Sequence, residues 1–540
     1  MVISLDIGTS LTKCLALDEE QGYLDRLIIP TDPNLNLQNS FSQILTLLET
    51  KSGRKIFRGN RCIYPIFACT SIKGGLRVAS VSSLYNTAGR IAELAVSYSG
   101  GNLVCQISTD QDLLFSEKVL KLVKAQPDLI IISGGCEEGS NKSVVDIVKV
   151  VATAIPLINP TGSLPVIYAG NSFIQTEVSS LLESISKFKI SSNIIPEEGQ
   201  QDIYPAISEI RDSFTDIYLG NREKWKMLYQ NLSEPIVPTS FCFLKSVETL
   251  NISANALFID VGSYSTDLII AEQKQPQNYY LHRFNKLEGV GSSLNSKFSF
   301  QELDEILTWT TYPLNRSILM DIIDKRRGIA SSSPVNDQEL DFLHCIARDL
   351  IGNLYKKFVD KKQKFFLREI YLLSILFKFS PISKDLFTVL NAIQPSGIVD
   401  IYLTDCFWAN YGLLNFYNLQ TNTHFNKKLL ATVISPLFSD KSRGSKVADV
   451  VIQTPGRTYQ DNIRAGEFRM SPVQASQGEI IVLPVRGVDG GEGNGKPVYS
   501  SLKPSESGLI FDGRIKPITP EFYQEHWEEY LNLWQKVLTA

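Results

Sequence analysis

Asp6-Ile7-Gly8-Thr9-Ser10-Leu11-Thr12-Lys13 recurs, far downstream, as Asp260-Val261-Gly262-Ser263-Tyr264-Ser265-Thr266-Asp267. Each copy ends an apolar, strand-like run (Val2 to Leu5; Ala256 to Ile259) and re-enters another (Cys14 to Leu17; Leu268 to Ala271). A lone Gly-hydroxyl turn is common in hairpins. Two copies, both bounded by strands and both opened by Asp, predict phosphate binding. Glycine lets the backbone approach a ligand closely. Successive turn N–H groups make an anion-binding hollow, and Ser and Thr hydroxyls add donors. On this reading Gly8, Thr9, Ser10 and Lys13 hold phosphate from the first turn, and Gly262, Ser263, Ser265 and Thr266 from the second. Lys13 acts as a point charge on the terminal phosphates. Asp6 and Asp260 repel phosphate, so they are expected to hold Mg²⁺ through water, an ion that keeps several waters and takes one or two carboxylates. Asp267 is the one weak candidate for a water-activating base.

The bulk numbers set the frame. The chain has 540 residues, 43% hydrophobic and 20% charged, with a net charge of −4. That describes a folded protein of about three or four domains without the basic field that nucleic acid would need. The first apolar run stops at Asp6, too soon for a signal peptide, and no run reaches the roughly 18 apolar residues of a membrane span. The eight cysteines contain no Cys-x-x-Cys pair and the four histidines no metal-ligand spacing. The expected compartment is therefore the cytoplasm.

Outward from the turns, residues 1–65 form a first lobe. Residues 66–204 alternate strand-like runs (Leu76–Val81, Leu103–Ile107, Leu129–Ser133, Val166–Ala169, Ile190–Ile195) with helical segments. That rhythm predicts βαβ crossovers and an inserted, doubly wound, Rossmann-like α/β domain. Residues 205–429 form a second lobe carrying the second turn. Residues 430–540 read as a β-rich tail with a terminal amphipathic helix anchored by Trp527 and Trp534. Gly487 to Pro497 imitates a P-loop, but Pro497 follows Lys496 where Ser or Thr is required, so a turn is expected.

The doubled turn resembles the two phosphate loops of the actin/Hsp70/sugar-kinase superfamily. That resemblance implies an α/β fold of duplicated actin-like lobes clasping ATP and Mg²⁺ in a cleft. A narrower likeness follows in order along the chain: Ser71-Ile72-Lys73-Gly74-Gly75-Leu76-Arg77-Val78, Ser133-Gly134-Gly135-Cys136-Glu137-Glu138-Gly139-Ser140-Asn141-Lys142, Pro165 to Asn171, Asn193 to Pro196 and Glu288-Gly289-Val290-Gly291. These segments are similar to the glutamate mutase accessory (MutL) family, over roughly residues 1–420. The resemblance implies an ATP-binding, chaperone-like accessory protein, able to act as a slow ATPase, whose partner is a cobalamin-dependent mutase. One departure stands out. The superfamily places a Gly-Gly turn near the adenosine, at the strand end here read as Tyr371 to Leu376. Ser374, flanked by Leu373 and Ile375, stands there instead, which predicts weakened, altered or lost adenine binding. Two other readings belong to the same superfamily: an actin-like scaffold that self-associates or supports a membrane assembly, and a small-molecule kinase, for which no substrate base is marked.

Overall fold

The computed structural model describes residues 1–18, 25–32, 37–59, 61–72, 75–137, 139, 141–218, 222–250, 252, 254–275, 278–294, 300–329, 332–360, 365–378, 380–419, 426–473 and 477–539. Lys73, Gly74, Glu138 and Ser140 of the quoted motifs lie outside the described residues. The chain divides into two compact units, one of residues 1–250 with 407–423 and the other of 251–406 with 424–540.

In the first unit, β1 (Val2–Ile7), β2 (Leu11–Leu17) and β3 (Asp25–Pro30) form an antiparallel meander. A small ribbon, β4 (Phe57–Arg58) with β5 (Arg61–Cys62), precedes β6 (Ile66–Thr70). β6 lies parallel beside β1, and β12 (Val237–Pro238) lies parallel beside β6. The sheet order is β12-β6-β1-β2-β3. Counted within the lobe, that is 3-2-1-4-5, read from the meander edge.

The inserted domain occupies the crossover between β6 and β12. It contributes β7 (Arg77–Ser82), β8 (Asn102–Ser108), β9 (Leu129–Ser133), β10 (Pro165–Tyr168) and β11 (Lys187–Ile190), all parallel, in the order β11-β10-β9-β7-β8. Relabelled from its own first strand this is 2-1-3-4-5. That is the flavodoxin-type order, not the 3-2-1-4-5-6 of a Rossmann dinucleotide fold. The central strand β9 is apolar from Leu129 to Ile132 because both of its faces are covered. Leu129 and Ile131 join the core shared with the first lobe, whereas Ile130 and Ile132 join the core under the outer helices. The helix Lys142–Ile158 closes that outer core with Val144, Ile147, Val148, Val151, Ala154 and Ile155, the spacing of one helical face. The last strand lies earlier than the apolar run Ile190–Ile195 suggests. It is an edge strand, Lys187 to Ile190, partly exposed along its length, so its side chains carry no strong burial pattern to read.

Two helices complete this unit. Thr239–Glu248 follows β12, and Trp408–Phe416 packs against it. Their approach is so close that a Cβ on Gly412 would lie 1.7 Å from the Cys242 carbonyl oxygen. No side chain fits there.

The second unit repeats the first lobe's topology. β13 (Ala256–Val261), β14 (Thr266–Gln275) and β15 (Asn278–Lys286) form the antiparallel meander, and β16 (Glu369–Leu372) and β17 (Gly397–Thr404) follow in parallel on the other side of β13. The order β15-β14-β13-β16-β17 is again 3-2-1-4-5. The duplicated, actin-like lobes are therefore visible in strand order and direction. The long helix Asp337–Val359, with Ile382–Ile393, covers one face over a core that includes Leu257, Ile259, Ile370 and Ile401.

The β-rich tail is built from β18 (Lys427–Ser435), β19 (Lys446–Thr454), β20 (Arg457–Arg464), β21 (Phe468–Met470), β22 (Gly478–Pro484), β23 (Val498–Leu502) and β24 (Leu509–Asp512). β18, β24 and β21 extend the lobe's own sheet beyond β17, and β20-β19-β22-β23 form a separate antiparallel sheet. The terminal helix Trp527–Thr539 buries Trp527, Leu531, Trp534 and Leu538 in the lobe's core. Residues 487–497 form a turn in which Asp489 Oδ1 accepts from the amides of Gly491 and Gly493, both at 2.9 Å, and a strand follows. Among the described residues no helix is long and apolar enough to cross a membrane.

Candidate functional site

The first turn, loop 1, links β1 to β2 and is closed by Gly8 N donating to Leu11 O at 2.9 Å. A Cβ on Gly8 would stand 2.9 Å from that same oxygen, so only glycine closes the turn without strain. The turn's carbonyls point inward: Gly8 O accepts from Thr31 Oγ1 at 2.8 Å, and Ser10 O accepts from Thr31 N at 2.9 Å. Thr12 Oγ1 and Thr31 Oγ1 share a hydrogen at 2.9 Å, and Thr9 Oγ1 donates to Ser71 O at 3.5 Å. Ser10 Oγ is buried and, among the described residues, has no partner. A buried hydroxyl left over in a glycine turn is the donor that a phosphate oxygen would satisfy.

Asp6 stands at the carboxyl end of β1, directly across the ladder from Lys13. Lys13 Nζ donates to Asp6 Oδ2 at 3.0 Å, and Asp6 Oδ1 accepts from Thr239 Oγ1 at 2.9 Å and from the Cys69 thiol at 3.6 Å. Asp6 is buried, whereas the Lys13 side chain keeps 21% of its exposure. Burial, followed by contact with Cys242, pushes the Cys69 thiol well above its ordinary range, so it is a packed neutral group. Loop 1 thus offers one cation, the Ser10 hydroxyl with no partner among the described residues, the Thr9 hydroxyl held by one long bond, and a carboxylate locked behind them, a set suited to phosphate with a water-bridged cation beside it.

Loop 2, between β13 and β14, repeats the turn. Gly262 N donates to Ser265 O at 2.8 Å. In both hairpins four residues separate the last paired residues, Ile7 with Thr12 and Val261 with Thr266. Asp260 and Asp267 accordingly occupy the places of Asp6 and Lys13. The charge at the second place is inverted, and the lobe compensates from the next strand. Arg283 Nε and Nη2 donate to Asp267 Oδ1 at 2.7 and 2.6 Å, with the arginine side chain only 1% exposed. Asp267 is therefore committed to an ion pair.

Loop 2 also has a backing that its own residues do not announce. Val290 N donates to Gly262 O at 3.0 Å, and Gly291 N and Ser292 N donate to Ser263 O at 3.0 and 2.7 Å. Thr266 Oγ1 donates to Glu288 O at 2.9 Å, which fixes it as a brace. A Cβ on Gly289 would lie 2.2 Å from Gly262 O. The Glu288-Gly289-Val290-Gly291 motif is the plate on which the second turn rests. Its two glycines are the only signal a sequence could carry.

At the end of β16, Leu373 and Ser374 are buried and lead straight into the short helix Ile375–Lys378. No glycine turn intervenes. In the inserted domain, Gly134 and Gly135 follow β9 at φ of 139° and 73°. A Cβ on Gly134 would meet Ser83 Oγ at 2.2 Å, and one on Gly135 would meet Asn171 Cβ at 3.2 Å. These glycines serve tight βα turns. Beside them Glu137 accepts from Ser172 N at 3.1 Å and from Asn193 Nδ2 at 2.8 Å, tying the segments after β9, β10 and β11 together. Among the described residues no three His, Cys, Asp or Glu side chains group as a metal site.

Comparison with known proteins places the chain. Solved structures it is similar to include a gluconate kinase from Lactobacillus acidophilus, 11% identical over 78% of this chain and 90% of that one, with a TM-score of 0.29. Glycerol kinase from Plasmodium falciparum, solved with ADP, is 9% identical over 76% and 88%, TM-score 0.29. The PilM–PilN type IV pilus biogenesis complex is 12% identical over 76% and 89%, TM-score 0.28. No curated protein matches the sequence. The family model described as MutL protein matches residues 2–366. That span takes in both loops and the whole inserted domain, and the chain belongs to the MutL family, the glutamate mutase accessory proteins.

Proposed function

We propose that this chain is an ATP-binding accessory protein of an adenosylcobalamin-dependent mutase of the glutamate mutase type, and that bound nucleotide drives closure of its two lobes. The observation that carries the reading is the doubled turn. One four-residue Asp-Gly-hydroxyl hairpin recurs at the same register in two lobes of the same 3-2-1-4-5 order. Family membership supports the partner. Bound ATP supplies a charged terminal phosphoryl group whose presence or loss the lobes sense.

On this reading Lys13 leaves Asp6 to meet phosphate, and the Asp6 carboxylate, still held by Thr239, turns to a water-bridged Mg²⁺. Gly8, Thr9 and Ser10 cradle phosphate from one side, and Gly262, Ser263 and Ser265 from the other, with Asp260 as the second carboxylate beside the metal. Thr266 shapes loop 2 through Glu288. Asp267 is held by Arg283 and plays no part as a base. The buried Leu373-Ser374 strand end predicts loose adenine recognition, so phosphate contacts carry most of the affinity.

The test is calorimetric titration with ATP and ADP, with and without Mg²⁺, on the wild type, Lys13→Ala and Asp260→Ala. Mg²⁺-dependent ATP binding is expected in the wild type and is weakened in both variants. Equal, weak signals from all three would overturn the nucleotide reading. Nucleotide-dependent capture of a purified cobalamin mutase tests the partner, and pelleting of the protein alone with ATP would favour a filament instead.

A further inference from the structure

Both loops hold the same peptide, by different means. In loop 1, Thr31 Oγ1 donates to Gly8 O at 2.8 Å, and Thr31 N donates to Ser10 O at 2.9 Å. In loop 2, Val290 N donates to Gly262 O at 3.0 Å. Gly8 and Gly262 occupy equivalent places, each following the last paired residue of its strand, Ile7 in β1 and Val261 in β13.

A trans peptide is planar, and its C=O and N–H point opposite ways. Tying the carbonyl therefore aims the amide. With Gly8 O drawn to Thr31, the Thr9 N–H points away from Thr31 and out of the turn. With Gly262 O drawn to Val290, the Ser263 N–H does the same. Among the described residues neither amide donates to another backbone group. An outward amide is a donor for a phosphate oxygen. The same peptide reversed would present a carbonyl oxygen and repel it. Glycine resists such a reversal poorly, so the hold on its carbonyl decides which way the peptide faces.

The Thr31 hydroxyl has no hydrogen to spare. Thr31 directly follows β3 and is 4% exposed. Its one hydroxyl hydrogen goes to Gly8 O, so in the 2.9 Å contact with Thr12 Oγ1 it is Thr12 that donates. The next residue is pinned as well: Asp32 N donates at 2.9 Å to Ser40 Oγ, a buried side chain of the helix Leu37–Ser52.

We propose that Thr31 is the positioning residue of loop 1, its hydroxyl fixing the Gly8–Thr9 peptide so that the Thr9 amide faces phosphate. The assignment rests on the nucleotide reading and deepens it. Loop 2 reaches the same arrangement through backbone alone, so a change of side chain at Val290 leaves its donor in place. Loop 1 depends on a single hydroxyl.

Three variants of the full chain separate this role from ordinary stability. Thr31→Val keeps the shape of the side chain and frees Gly8 O. Thr31→Ser keeps the hydroxyl. Thr12→Val removes the Thr12–Thr31 bond but leaves Gly8 O held. Affinity for ATP with Mg²⁺, measured by calorimetry, is expected to fall about tenfold in Thr31→Val, the scale of one lost charge-assisted hydrogen bond, and to stay within about twofold of wild type in the other two. In protein labelled with ¹⁵N-threonine, the Thr9 amide proton is expected to move downfield as ATP and Mg²⁺ saturate the wild type, and to stay in place in saturated Thr31→Val. Wild-type affinity in Thr31→Val, an equal loss in Thr12→Val, a Thr31→Ser as weak as Thr31→Val, or an unmoved Thr9 amide in the saturated wild type would each overturn the assignment. A wild type that binds no ATP would overturn the nucleotide reading itself, and the role of Thr31 with it.

Discussion

Replacing Arg283 by methionine removes the positive charge that lets Asp267 stand opposite Asp260. The wild-type pair is close, at 2.6 to 2.7 Å, and nearly dry, with side-chain exposures of 1% and 10%. Removing one partner of such a pair leaves an uncompensated buried charge and costs about 3–5 kcal/mol. Here the loss is aggravated, because the freed carboxylate faces another directly across the ladder. Replacing both partners by apolar residues, Arg283→Met with Asp267→Leu, should be far milder, within about 1 kcal/mol of wild type. The coupling in that double-mutant cycle is therefore expected to exceed about 2 kcal/mol. Because the chain has two units, a single global unfolding energy is the wrong observable. Amide hydrogen exchange of β13, β14 and β15 reads the local cost instead. A loss under about 1 kcal/mol in Arg283→Met, or a double variant that costs the sum of the two singles, would refute the structural role assigned to Asp267. The double variant should also retain Mg²⁺-dependent ATP binding. Its loss with stability restored would return Asp267 to the list of functional groups.

Gly412→Ala places a methyl 1.7 Å from the Cys242 carbonyl oxygen, so the two packed helices must part. Overpacking of this kind costs about 3 kcal/mol, and thermal melting of the variant should fall accordingly. Gly289→Ala puts a methyl 2.2 Å from Gly262 O and 2.6 Å from Tyr264 N, displacing loop 2. ATP affinity measured by calorimetry should drop about tenfold or more, the equivalent of ~1.4 kcal/mol, while circular dichroism stays that of the wild type. Asp385 governs a pH window. Burial raises its pKa to about 9, far above its unfolded value, so the native state holds a proton that the unfolded chain has lost. Stability is full at low pH and declines as pH rises towards 9. Burial lowers His344 to about 3, which has the opposite sign and opposes this trend below the unfolded histidine pKa of about 6.5. Between pH 6.5 and 8 Asp385 contributes about −1.4 kcal/mol per pH unit, and above pH 8 the buried Lys516, whose pKa burial lowers to about 8, contributes with the opposite sign. Amide hydrogen exchange of the helix Ile382–Ile393, corrected for the intrinsic pH dependence of exchange, should show that slope in the wild type and lose it in Asp385→Asn.

What could be read from the sequence was whatever short-range pattern carries. The two hairpins were legible because strand, glycine and hydroxyls are contiguous. The inserted domain was legible because parallel strands buried on both faces are uninterrupted apolar runs, as in Leu129-Ile130-Ile131-Ile132. Sheet order was not, because it rests on pairings between residues scores of positions apart. The same holds for the tail: nothing in Lys427–Ser435 says that it pairs with β17, since an apolar strand fits any open edge. Lys187–Ile190 was misplaced because an edge strand need not be apolar. The roles of Arg283 and of the Glu288–Gly291 motif were hidden for a further reason. Each acts through the partner it meets in space, Asp267 for one and the backbone of Gly262 and Ser263 for the other.

The two hairpins keep one geometry and divide its chemistry. In loop 1 the cross-strand neighbour of the Asp is Lys13, exposed enough to move and paired with Asp6. In loop 2 the same place holds Asp267, and the balancing cation, Arg283, comes from a third strand and is buried beyond the reach of any ligand. A mobile cation can trade a carboxylate for a phosphate, because one charge-assisted hydrogen bond replaces another of similar strength. A buried one cannot. Loop 1 is thus the half built to exchange partners, and loop 2 is the half built to stay put, braced by Thr266 on Glu288 and by the amides of Val290, Gly291 and Ser292. A nucleotide that drew Lys13 away from Asp6 would change the charge at the carboxyl end of β1, where Asp6 is also tied to Thr239 at the start of the helix Thr239–Glu248. That helix is clamped to Trp408–Phe416 through Gly412 with no slack, so a shift at its first turn has to be taken up by the helix pair as a body.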